Sequence, residues 1–342
     1  MSARPPTKRS FGALKKLRTP LDWPKDKPFK ILSIDGGGIR GIFPACILTE
    51  LEDRFLKGSP IGSHFDLIVG TSTGGIIAVA LAKGLSAREI SRLYLERGAV
   101  IFPPAVGLRG WTRRVKQLVR AAYCSDTLSK ELNRILGDDC LKNCSVRLCI
   151  PAFEGNYGEP WIYKTPHHPD YHLDSNTRLA TVAMATAAAP TYLKALQHQG
   201  YVMVDGGLFA NNPIMIGVVD TLSCYQLDRR QIHVLSIGCG GAPYRVQKSH
   251  FSGGKWQWKN AVSAAITASS MNAFGQASLL IGRDRIVRID IVGNDGRSIA
   301  LDDYQEAKDL LPSMATSLVD DLGDQIRSRF LQSPCTPFSY AK

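Results

Sequence analysis

The chain has 342 residues, 44% of them hydrophobic and 21% charged, with a net charge of +12. That balance suits a globular protein with one large α/β domain or two smaller ones, and excludes a chain too polar to build a core. No apolar run reaches the roughly 18 residues of a membrane span, and the start, MSARPPTKRS, lacks the apolar stretch of an export signal. With eight cysteines and no such signal, the expectation is a cytoplasmic protein with reduced thiols.

Residues 1–28, with Pro5, Pro6, Pro20, Pro24 and Pro28, read as a basic, proline-rich arm. The first thirty residues hold nine lysines and arginines against Asp22 and Asp26. Such a surplus suits an anionic membrane surface, a nucleotide or a nucleic acid, and a solvated arm accounts for it equally well. A single domain is expected over 29–335, its motifs within 30–237 and a strand-and-helix extension over 238–335. KILSID at 30–35 is the first strand, followed by the glycines of 36–41 and a helix from Ile42 to about Phe55.

Phe65 to Val69 is a short apolar strand, and Gly70-Thr71-Ser72-Thr73-Gly74 then fits the G-x-S-x-G turn that exposes a nucleophilic serine. Ile76, Ile77, Val79 and Leu81 continue as helix, which puts Ser72 at a helix N-terminus where free N–H groups favour a developing oxyanion. The two βα units predict a parallel sheet with helices on both faces. Ser86 to Glu89 is a capping box opening a helix to about Arg97. Between Val100 and Tyr123 the sequence is irregular, and Arg109 to Arg120 carries bases without an acid, as a lid or an anion-binding surface would.

Ser125 or Asp126 caps a helix to about Leu136. Val146 to Phe153 is a strand with Glu159 to Thr165 as its antiparallel neighbour, and Thr177 to Ala189 is a small-residue helix. Tyr201 to Val204 is a further strand ending at Asp205-Gly206-Gly207, and Asn212 and Pro213 open the next helix. Ile232 to Ile237 is a strand, 248–259 a loop, and a long alanine/serine helix runs to about Leu280. Arg285 to Ile291 is the last strand, and Tyr304 to Phe330 supplies one or two helices. Cys140, Cys144 and Cys149 precede His167, His168 and His172 without the paired spacing of a metal site.

Three loops carry the chemistry. Gly36 to Gly41 matches G-x-G-x-x-G, but the second strand ends in GTSTGG, with no acid for a ribose, so a dinucleotide site is not expected. The alternative is a row of backbone N–H groups forming an oxyanion hole beside Ser72, with Arg40 steadying the loop or meeting an anionic headgroup. Asp205 can accept the Ser72 proton directly or through water. A triad would need His64, His167, His168, His172, His198, His233 or His250, and spacing alone does not separate dyad from triad.

DGGGIRG at 35–41, GTSTGG at 70–75, ATAAAPTYLKA at 185–195 and DGGLFANNP at 205–213 together resemble the patatin-like phospholipase family, over roughly Lys30 to Ile237. The resemblance implies a three-layer patatin-like α/β fold with a mostly parallel central sheet. It implies Ser72 as nucleophile and Asp205 as base of a Ser-Asp dyad without histidine. Gly36, Gly37 and Gly38 then bracket the oxyanion hole, with Arg40, Gly70, Gly74 and Gly206 in support. The implied reaction is hydrolysis of acyl esters of membrane phospholipids through an acyl-enzyme, with no metal or other cofactor, at the inner membrane surface. Stand-alone bacterial members include anti-phage effectors switched on by a cyclic dinucleotide, so such an activator and a homo-oligomer are the further partners expected, and nucleic acid is not. The alternatives are a cyclic-nucleotide or lipid binding module with a vestigial site, or an acyltransferase or thioesterase on the same scaffold.

Overall fold

The computed structural model describes Lys8 and residues 18–103, 123–241, 261–291 and 299–338. The Arg109–Arg120 segment, His250 and the 248–259 loop therefore lie outside the described residues.

Short aliphatic runs form the centre. The larger sheet contains β2 (Phe29–Ile34), β3 (Leu67–Gly70), β4 (Arg147–Glu154), β5 (Glu159–Lys164), β6 (Leu196–His198), β7 (Tyr201–Asp205), β9 (Ile232–Ile237) and β10 (Ile286–Ile289). Its order is β10-β9-β2-β3-β4-β7-β6, with β5 also paired to β4. The five strands from β10 to β4 are mutually parallel, while β5, β7 and β6 add an antiparallel side. Every residue of β2 and β3 is buried, as strands covered on both faces require.

Period-two alternation divides the side chains between two cores. Leu32, Ile34, Ile68, Leu148 and Ile150 face one layer, and Phe29, Ile31, Leu67, Val69 and Cys149 the other. The first layer holds α1 (Ile42–Phe55), α2 (Thr73–Lys83), α3 (Ala87–Ile101), α4 (Ser125–Leu136), α5 (Leu179–Thr186) and α9 (Tyr304–Phe330). On the opposite face lie α7 (Ile214–Cys224) and α8 (Ala261–Ile281), reached through the one-turn α6 (Gly207–Ala210). The result is the three-layer arrangement expected from the sequence.

Several local expectations are refined. Ser125 is the first residue of α4, and its cap is Cys124, which makes no side-chain capping bond. Pro213 caps α7, although Asn212 Oδ1 still accepts the Ile214 N–H at 3.1 Å. Tyr304 to Phe330 is one helix that continues through Pro312. The end of the arm is docked rather than free: β1 (Leu21–Asp22) pairs in parallel with β8 (Tyr225–Gln226), and Trp23 packs on Phe29 and Tyr225 at 4.7 and 5.4 Å between ring centroids. Lys30, next to the arm, donates through Nζ to the carbonyls of Phe330 and Ser333, both at 3.0 Å, so the first central strand is tied to the end of the last helix.

Candidate active site

The β3–α2 turn is built by close approach. A Cβ on Gly70 would collide with the carbonyl of Gly74, and one on Gly74 with the carbonyls of Ile34 and Asp35, so only glycine lets helix, strand and neighbouring strand meet here. Between them Ser72 caps α2 with φ 56° and ψ −122°, a left-handed conformation that costs a serine about 1–3 kcal/mol. Its N–H donates to Thr186 Oγ1 at 3.0 Å, and Thr186 Oγ1 donates in turn to the Pro151 carbonyl at 2.6 Å. On the other side, Thr73 Oγ1 donates to Tyr94 at 2.6 Å, and Tyr94 Oη donates to the Thr73 carbonyl at 3.0 Å. The strained serine is thus gripped from α5 and from α3.

Ser72 Oγ donates to Asp205 Oδ2 at 2.6 Å. Asp205 is the last residue of β7, opposite Ala152 near the carboxyl end of β4, so an antiparallel strand delivers it to the edge where β2 and β3 also end. Its Oδ1 accepts the Gly207 N–H at 2.6 Å. Burial pushes its pKa up to about 6, against the opposing hydrogen bonds from Ser72 and Gly207. The group is therefore a stronger base than an exposed aspartate while remaining ionised at neutral pH. Gly206 has no room for a side chain, since a Cβ would strike the Pro151 carbonyl.

No histidine hydrogen-bonds to Ser72 or Asp205 among the described residues. His64 contacts Ser63, His167 joins Thr165 and Asp220, His168 reaches the Thr19 carbonyl, and His233 meets Arg285. The described geometry around Ser72 is that of a dyad.

The glycine loop lies beside the serine: a Cβ on Gly36 would stand 3.2 Å from the Ser72 Cβ. Gly36 differs from its expected role. Its N–H donates to the Asn211 carbonyl at 2.9 Å, so it tethers the loop to the aspartate segment instead of offering a free donor. Among the described residues the N–H groups of Gly37 and Gly38 carry no acceptor. Gly38 has φ +58°, and a Cβ there would strike the carbonyl of Leu301, which accepts the Ile39 N–H at 2.9 Å.

Arg40 Nε donates to the Gly37 carbonyl at 3.3 Å, and Arg40 has no carboxylate partner among the described residues. Burial lowers its pKa, a sign that its charge is poorly solvated and would gain from an anion. Behind the loop, Arg288 donates to both oxygens of Asp35 at 3.1 and 2.6 Å, to Asp290 at 2.6 Å and to Ser236 at 2.7 Å. Even so, burial raises Asp35 to about 6.

Thr186, Asn211, Arg288, Leu301 and Tyr94 were not singled out as functional from the sequence; only Thr186 and Asn211 fall inside recognised motif blocks. A second cluster, Cys149, His167 and Asp220, brings metal-ligating atoms within 4.8 Å of one another on the far face of the sheet. Asp220 is already satisfied there by Lys164, Tyr171 and His167 at 2.6 to 2.8 Å. Burial opposes its ionisation, and the charges and hydrogen bonds of His167 and Lys164 outweigh that and hold it well below the usual range. The ammonium of Lys164 supplies the positive charge a metal would bring.

A strained serine at a strand–helix turn, a buried aspartate accepting its hydrogen bond and a glycine loop whose Gly37 and Gly38 N–H groups carry no acceptor among the described residues form the kind of arrangement a serine acyl hydrolase uses on an α/β sheet. The family model for patatin-like phospholipases matches residues 32–218, more than half of the chain, and the chain belongs to that family. It is similar to a cGAMP-activated phospholipase of Escherichia coli, 33% identical over 85% of this chain and 83% of that protein. A cGAMP-activated phospholipase of Pseudomonas aeruginosa is 37% identical over 67% of this chain and 68% of its own. The crystal structure of VipD from Legionella pneumophila overlaps weakly, with a TM-score of 0.41 and 12% identity over 92% of this chain and 73% of that one.

Proposed function

We propose that the chain hydrolyses acyl esters of membrane glycerophospholipids with Ser72 as nucleophile and Asp205 as its base, and that a cyclic dinucleotide switches it on. The observation that carries the catalytic part is the 2.6 Å hydrogen bond from Ser72 Oγ to a buried Asp205, made by a serine held at positive φ. Asp205 accepts the hydroxyl proton as Oγ attacks the ester carbonyl. The oxyanion of the tetrahedral intermediate then meets the N–H groups of Gly37 and Gly38, with the Arg40 guanidinium beside them. Asp205 returns the proton to the leaving alcohol, a lysophospholipid, and the acyl group stays on Ser72. In the second half, Asp205 takes a proton from water, the hydroxide adds to the acyl carbonyl, the bond from Ser72 Oγ to the acyl carbon breaks, Asp205 returns the proton to Oγ, and a fatty acid leaves.

The switch is supported by the names of relatives that match most of their own length, and action at the inner membrane surface is part of the same proposal. Fatty acid release from anionic vesicles, measured with and without a panel of cyclic dinucleotides, tests both parts. Wild type should release fatty acid only with an activator present, and Ser72→Ala and Asp205→Asn should release none. Full activity in Ser72→Ala removes the nucleophile assignment, and nucleotide binding without lipolysis under any condition favours a binding module.

A further inference from the structure

About a fifth of the chain is charged, yet residues 206–219 and 261–281 contain no Asp, Glu, Lys or Arg. These two stretches form α6, most of α7 and all of α8, which pack side by side on one face of the sheet. Five of the ten large hydrophobic residues exposed among the described residues lie there: Leu208, Val219, Val262, Met271 and Leu279. Scattered single exposures are ordinary; this concentration on two neighbouring charge-free stretches is not.

The direction of α8 decides which end of the patch matters. It follows β9 and precedes β10, two parallel neighbours, so it descends from the carboxyl edge of the sheet, where the site lies. Ser269 Oγ donates to the Phe209 carbonyl of α6 at 2.9 Å, which fixes Ser269 at the level of the aspartate turn. The eight residues before it, Ala261 to Ala268, add about 12 Å of helix. The fully buried residues of α8, Ala277 and Ile281, are at its other end. Val262 (62% exposed), Met271 (70%) and Leu208 (38%) therefore stand at the catalytic rim.

We infer that this rim, Leu208 with the first half of α8, is the surface that docks on a lipid bilayer. The inference rests on the hydrolase reading above. Leu208 belongs to the same turn as Gly207, whose N–H holds Asp205, so the patch is continuous with the site. A substrate that resides in a bilayer has to enter across such a margin, whereas a protein partner seated there would cover it. An uncharged helix satisfies its own backbone and enters the headgroup–acyl boundary without desolvating a charge. The net charge of +12 adds attraction to anionic headgroups.

The test separates docking from chemistry. In the inactive Ser72→Ala background, Val262→Asp with Met271→Asp should weaken co-sedimentation with phosphatidylethanolamine–phosphatidylglycerol vesicles roughly tenfold or more. Leu279→Asp, at the far end of α8, should leave binding near wild type. With Ser72 intact, the double variant should keep its rate on a soluble short-chain ester and lose rate on vesicles, cGAMP being present throughout. Unchanged vesicle binding overturns the inference. So does a double variant that sediments as a smaller species and loses both activities, since the rim would then be a contact with a second copy. If wild type cleaves neither substrate while vesicle binding still depends on Val262 and Met271, the hydrolase reading fails and the docking surface stands.

Discussion

Thr186→Val asks whether the strained serine is held by the hydrogen bond from its own N–H. The substitution keeps the side chain's volume and removes the oxygen that accepts that N–H, 3.0 Å away. It also strips the Pro151 carbonyl of its 2.6 Å donor. An unsatisfied buried backbone group costs about 1–3 kcal/mol, similar to what Ser72 stores at φ 56°. If the turn relaxes to recover that energy, Oγ leaves Asp205 and the loss appears in the transition state. At 1.36 kcal/mol per decade this corresponds to about a 5- to 150-fold fall in kcat/KM. The assay is hydrolysis of a soluble short-chain ester, with far-UV circular dichroism to confirm folding. Thr186→Ser, which restores the oxygen, should recover most of the rate. A Thr186→Val enzyme with wild-type kcat/KM would refute the reasoning.

Four further outcomes follow from the same structure. Because burial raises Asp205 from 3.8 to about 6 and the base must be ionised, kcat/KM should fall as pH drops through about 6, and a limb near 4 in the pH–rate profile would count against it. The raised pKa makes the native state a better proton binder than the unfolded chain, so the stabilising protonation is complete below 3.8 and is lost as pH rises through about 6. Asp205→Asn, inactive, should therefore unfold at higher denaturant than wild type above pH 6, by up to about 3 kcal/mol, and an equal or lower midpoint would oppose this. Gly38→Ala places a Cβ against the Leu301 carbonyl at a positive φ, and should cut ester hydrolysis while leaving the circular dichroism spectrum native; full activity would show that the loop has slack. Arg288→Leu leaves Asp35 and Asp290 without their shared partner and should cost about 3–5 kcal/mol in urea unfolding. The loss should be larger above pH 6, where Asp35 is ionised, than below it; a pH-independent loss would point to packing instead.

Much of this was legible in the sequence because it is local. Gly70 and Gly74 are needed by a turn five residues long, and the apolar periods of 29–34 and 232–237 mark buried strands directly. Asp205 could be paired with Ser72 because each follows its own strand and carries glycine neighbours. What escaped is long-range. Nothing near Thr186 announces that its hydroxyl meets an N–H 114 residues earlier. Nothing near Gly36 shows that its N–H is spent on Asn211, which removes it from the donors expected of it. The three-residue strand Leu196–His198 is too short to show a period, so the antiparallel side of the sheet was only partly visible.

The Leu301 carbonyl has a consequence for how such a protein is made. The glycine loop, near the start of the chain, is fastened by a residue more than 250 positions later, and Lys30 by the carbonyls of Phe330 and Ser333. Serine, aspartate and glycines are all translated by residue 213, and Asn211 already holds the Gly36 end of the loop, but the Gly38–Ile39 end has no clasp until the ribosome has passed residue 301. A nascent chain is thereby a poor lipase. Maturation of the site is delayed accordingly, and a chain cut short before residue 301 should be inactive, measurable as loss of ester hydrolysis in a truncation ending at Ile291.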